Sequence, residues 1–127
     1  MAVQKQKRNV SGVSQTAIGG NAAVVVLSDW SAADGWVAIV ELTIKAHGVT
    51  SGSVNAYYRR EVFQWDDGGA APAADGALVA ATIVEEDAAW DAVVALNGNN
   101  VEVQMTGDAA EVVDWSWSGT IILQRVV

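Results

Sequence analysis

The sequence predicts an all-β fold, a single β-sandwich or jelly roll of about seven or eight antiparallel strands with an extended N-terminal arm. Three observations carry that expectation. Aliphatic residues are weighted towards branching at Cβ, 21 Val and 6 Ile against 5 Leu, and such side chains are stiff in a helix but suit a pleated surface. Several stretches alternate apolar and polar residues with the period of two that turns one strand face to a core. Clusters of Gly, Asn, Asp and Ser punctuate the chain at intervals of roughly ten residues.

A chain of 127 residues fits one domain and, by size scaling, buries roughly two-thirds of its unfolded surface. With no cysteine, disulfides, thiolate nucleophiles and thiolate metal sites are all excluded, so packing supplies the stability. No apolar run approaches the roughly 20 residues that span a bilayer, and the first eight residues lack the apolar segment of a signal peptide. A soluble protein made in the cytoplasm, with no membrane partner, is the expectation.

Charge is unevenly spread. Seven basic and fifteen acidic residues give a net −8, yet Lys5, Lys7 and Arg8 crowd into the first eight positions. Four basic residues then stand against all fifteen acidic ones over 9–127, a net −11. A body so charged repels phosphate backbones, so no nucleic-acid partner is expected. Residues 1–15 read as a basic extended arm that orders against a partner, and 16–127 as the sandwich domain.

Along the domain, 16–27 is strand-like but interrupted by Gly19-Gly20-Asn21, and the apolar run 22–27 looks buried on both faces. Residues 28–35 read as a turn. Over 37–46, Ala38, Val40, Leu42, Ile44 and Ala46 alternate with Glu41, Thr43 and Lys45, the pattern of a half-buried strand. A turn at 47–52 leads into an aromatic, β-branched strand at 53–65, and the two should pair as an antiparallel hairpin.

Residues 66–76, with Asp66-Asp67-Gly68-Gly69, the only proline, Pro72, and Asp75-Gly76, read as the longest loop. A strand follows at 77–85. Glu85, Glu86 and Asp87 resemble the acidic first turn of a helix, but alternation from Ala89 favours a strand. Asn97-Gly98-Asn99 then turns the chain into Val101, Val103 and Met105. Val113, Trp115 and Trp117 alternate with Asp114, Ser116 and Ser118, and Gly119 reads as a bulge that shifts the phase into the last strand.

The chemistry-bearing residues are sparse. His47, the only histidine, falls beside Gly48 in a turn, with no nucleophile motif to complete a triad. Glu85 with Glu86, and Asp66 with Asp67, are adjacent in sequence, which does not hold two carboxyls across a cleft as glycoside hydrolysis requires. Asp66-Asp67-Gly68 offers hard oxygen ligands without the spacing of a calcium loop. Gly19-Gly20 and Gly68-Gly69 lack the context of a phosphate loop. Neither catalytic residues nor cofactor nor metal is expected.

Six tryptophans are many for this length. Trp90, Trp115 and Trp117 sit among alternating apolar residues and belong in the core, whereas Trp30, Trp36 and Trp65 flank turns. The latter three, with Asp66 and Asp67, are candidate interface residues, and Lys5, Lys7 and Arg8 are candidate contacts of the arm.

The runs Val37-Ala38-Ile39-Val40-Glu41-Leu42 and Tyr57-Tyr58-Arg59-Arg60, the hairpin around Asn97-Gly98-Asn99, and Val113-Asp114-Trp115 together resemble the small Val-rich, Gly-punctuated β domains of tailed-phage virion proteins. The likeness covers residues 16–127 and is most like a capsid decoration, or cement, protein. It implies a homo-oligomer, a trimer favoured, that bridges neighbouring copies of the major capsid protein on the outer surface of the capsid. The alternative is a tail or baseplate component that recognises a host surface glycan through Trp30, Trp36 or Trp65 and the loop at 66–76.

Overall fold

The half-buried alternation at residues 37–46 becomes strand β3 (Val37–Gly48), where Ala38, Val40, Leu42, Ile44 and Ala46 are buried and Glu41 and Lys45 are exposed. The computed structural model describes residues 3–28, 37–52, 54–65, 73–97 and 100–126. Among them eight strands follow in chain order: β1 (Val3–Thr16), β2 (Asn21–Leu27), β3, β4 (Asn55–Trp65), β5 (Ala73–Glu85), β6 (Asp91–Asn97), β7 (Asn100–Thr106) and β8 (Val113–Val126). All pairs are antiparallel, in a five-stranded sheet ordered β1-β8-β3-β4-β5 and a three-stranded sheet ordered β2-β7-β6. The β3–β4 and β6–β7 hairpins are those the alternation predicts, the latter closing on the pair Asn97 and Asn100.

The two sheets enclose a core drawn from both. Its centre is aromatic. The Trp115 ring lies 6.5 Å from Tyr58 at 21° and 6.3 Å from Trp90 at 57°, separations at which aromatic pairs attract beyond their buried area. Two of the buried indole N–H groups are satisfied by side chains: Trp115 Nε1 donates to Thr16 Oγ1 at 3.1 Å and Trp90 Nε1 to Asp108 Oδ2 at 3.2 Å. Trp117 is buried as well, as its alternation with Trp115 predicts.

At the seam between the sheets, Arg60 of β4 is buried. Its Nε donates to the Ala92 carbonyl at 2.7 Å, Nη2 lies 3.5 Å from Asp91 Oδ1, and its guanidinium sits 4.9 Å from the Tyr58 ring centroid. A buried guanidinium survives there because β6 supplies both a carbonyl and a carboxylate.

Several expectations are corrected. Of residues 1–15, read as an extended arm, 3–15 form with Thr16 the edge strand β1, paired with β8 in unbroken register from Val3–Val126 to Thr16–Val113. The polarity of this stretch comes from edge position, since of its described side chains only Thr16 is buried. Gly12 is the reason it docks flush: a Cβ there would land on the Trp117 indole, which lies across the glycine opposite. Gly12→Val should therefore cost about 2 kcal/mol through overpacking, read as a lower urea midpoint at unchanged slope.

β2 is buried on one face only, with Val25 exposed, because it edges the smaller sheet. Gly119 is not a bulge: β8 keeps phase through it, pairing it with Leu42 and Val10, and burial continues on the same parity at Ile121 and Leu123. The register breaks fall in β2 and between β4 and β5 instead. Finally, Asp75 and Gly76, expected in the long loop, belong to β5.

Candidate binding surface

Directly opposite residues of an antiparallel pair project to the same side, and this sorts the basic residues. Lys5 stands opposite the exposed Gln124 and Lys7 opposite Ile122, whereas Arg8 stands opposite the buried Ile121. Lys5 and Lys7 thus line the outer face of the larger sheet. Arg8 points to the other side, where it is exposed and its Nη2 donates to Gln6 Oε1 at 3.3 Å. A basic cluster in sequence is split by the pleat.

Register also places Lys5 in one cross-strand row with Gln124, Val37 and Trp65. Three ladder spacings of about 4.8 Å separate the β1 and β4 backbones in that row, roughly 14 Å. Trp30, Trp36, Asp66 and Asp67 lie outside the described residues, and no side-chain contact of Trp65 is described.

The opposite end of the same face holds a more complete arrangement. His47 is not in a turn but in β3, exposed, with Nδ1 2.6 Å from Asn55 Oδ1 on β4. On its other side stands Asp114 of β8, whose Oδ1 accepts from Gln15 Nε2 of β1 at 2.7 Å. The row Gln15, Asp114, His47, Asn55 crosses four strands, and beside it runs Val13, Ser116, Lys45, Tyr57. Together they frame an open depression of about 930 Å³. Small Ser116 between longer neighbours lowers its floor. Tyr57 is half-buried and Val13 is 79% exposed, so apolar surface bounds the polar row on both sides.

Several other acidic residues are engaged in the architecture. Glu85 Oε2 accepts from the Tyr58 hydroxyl at 2.7 Å. Burial, then that bond and the Glu85 charge, raise the Tyr58 hydroxyl far above its ordinary range. Asp108 accepts from Trp90 Nε1 and from the Ala110 N–H, the latter at 2.8 Å. A hydrogen bond between the carboxyls of Asp87 and Asp108 holds Asp87 above the usual carboxylate range and Asp108 below it. Glu111 is buried beneath the β3–β4 turn, accepting the Ser51 N–H at 2.8 Å. Among the described residues, no group of three or more His, Asp or Glu could hold a metal ion.

Sequence reasoning passed over Gln15, Asn55, Tyr57 and Asp114 as members of a site. The outward parity of Lys45 was legible in the β3 alternation, but the rows depend on β1 meeting β8 across about a hundred residues, for which no local signal exists.

Fold and surface together define a class: a two-sheet antiparallel β-sandwich whose larger sheet presents an open, polar outer face. No protein-family model matches the chain, and no curated protein matches it. Among solved structures, the crystal structure of the Acinetobacter baumannii phage AM24 tailspike protein aligns over 95% of this chain and 26% of that one, with a TM-score of 0.41 and 9% identity. The chain spans about a quarter of that protein's length, and a likeness of this degree assigns no function.

Proposed function

We propose that this chain is a structural, non-catalytic component of a tailed-phage particle, and that it decorates the outer surface of the capsid as a homo-oligomer bridging neighbouring major capsid subunits. The phage context comes from the sequence resemblance. The observation that carries the docking role is β1, a 14-residue strand at the sheet edge whose outward backbone groups are open to a partner. It carries Lys5 and Lys7 on the outer face of a chain whose residues 9–127 are net −11, which favours an acidic partner surface.

Deleting β1 would strip an edge from β8 and uncover Trp117, so charge reversal is the cleaner test. Lys5→Glu with Lys7→Glu leaves the backbone ladder in place. It should weaken co-sedimentation with expanded capsids by about tenfold at low salt and by less at high salt. Unchanged affinity would remove β1 from the docking surface. Wild-type protein that fails to bind capsids, or shells lacking it that withstand heat as well as decorated ones, would overturn the capsid role itself. A second reading, a tail component recognising a host surface glycan, is favoured by the depression around His47.

A further inference from the structure

We infer that the depression framed by Asp114, His47, Lys45 and Tyr57 on the outer face of the larger sheet is a saccharide-binding site. The inference rests on the glycan reading and moves its site away from Trp30, Trp36 and Trp65. A sugar ring presents a rim of hydroxyls, each both donor and acceptor, around an apolar C–H face. Its complement is a set of fixed acceptors and donors beside an aromatic or aliphatic surface.

Both halves are present. Asp114 is held by Gln15 at 2.7 Å and His47 by Asn55 at 2.6 Å, so each side chain is oriented before a ligand arrives and loses little freedom on binding. The Asp114 carboxylate keeps a second oxygen and the His47 ring a second nitrogen for a ligand, and the Lys45 ammonium adds donors. Tyr57 and Val13 close the adjacent row at its two ends, on β4 and β1, with roughly 14 Å between those strands, room for about two sugar rings.

Other occupants fit less well. A phosphate group would face the Asp114 carboxylate. An apolar ligand would strip water from Asp114, His47 and Lys45 without pairing them. A peptide strand joining the free edge of β1 would lie beside the depression and not over its floor, because Asp114, His47 and Lys45 stand on β8 and β3, each paired on both sides.

The test uses the full chain on an array of bacterial surface oligosaccharides, followed by titration of the strongest binder with calorimetry and proton NMR. His47 is the only histidine, so its ring protons form a single reporter within the site. The expected result is a shift of those signals on saturation, with Asp114→Ala and Tyr57→Ala each weakening binding about tenfold. Glu41→Gln, two rows away on the same face, should bind as the parent does. Unfolding midpoints guard against loss of fold, and His47→Gln provides a third surface variant should either alanine variant unfold. Binding that leaves the His47 signals unmoved and survives the substitutions would overturn the site while sparing the glycan reading. No saccharide bound above background would overturn both.

Discussion

Gly119→Ala is expected to destabilise the domain by about 3 kcal/mol, the upper end for adding a single methyl group to a packed interior. The cause is backbone against backbone. A Cβ at Gly119 would collide with the Glu41 carbonyl oxygen and lie 2.9 Å from its carbonyl carbon and 3.0 Å from Leu42 Cα. Neither strand can step aside: β8 is paired to β1 and β3, and β3 to β8 and β4. Gly48→Ala makes the useful comparison, since its Cβ would meet the Glu111 carboxylate, a side-chain end that can shift at the expense of its bond from the Ser51 N–H, and should cost less than moving backbone. Urea unfolding followed by tryptophan fluorescence reads both. A Gly119→Ala protein as stable as the parent would show that β3 and β8 do not approach as described.

The second large effect is expected from Trp115→Ala, at about 3–5 kcal/mol. That is a substantial share of the roughly 5–15 kcal/mol by which a domain is stable. Trp115 is 2% exposed, touches the rings of both Tyr58 and Trp90, and donates its indole N–H to the buried Thr16 hydroxyl. Truncation would open a cavity between the sheets and leave Thr16 without that partner, loosening the end of β1 as well. Trp115→Phe keeps a ring in place and gives up the N–H, so it should recover more than half of the loss. Midpoints at equal slope would separate the two contributions. If the two variants proved equally destabilised, the hydrogen bond to Thr16 rather than ring packing would dominate.

Both sites show where reasoning from sequence reached and where it stopped. Trp115 was legible as core because Val113, Trp115 and Trp117 alternate with polar residues, and the pleat acts on near neighbours. Gly119 was misread for the same reason. A glycine amid alternation looks like a bulge until the strands on either side are known, and those strands lie some eighty residues and more than a hundred residues upstream. The arm expected at 1–15 differs in kind over its described residues, 3–15: their polarity resembles that of a free arm, while their partner, β8, lies about a hundred residues further along the chain.

The candidate surface follows the same division. His47 stood out as the single histidine, and Lys5, Lys7 and Arg8 as a basic cluster. Yet the pleat separates Arg8 from the two lysines, and only register brings Gln15 and Asp114 alongside His47 and Asn55. By itself the sequence determined the all-β class, the half-buried face of β3, the β3–β4 and β6–β7 hairpins and the place of three tryptophans in the core. Each of these depends on propensity, parity or a turn acting over a few residues. Tertiary structure decided that the N-terminal stretch is an edge strand, that Gly119 marks a close approach of backbones, and that four strands share the rows around His47. Pairing between distant strands is chosen by the whole set of competing edges and faces, and no local pattern records that choice.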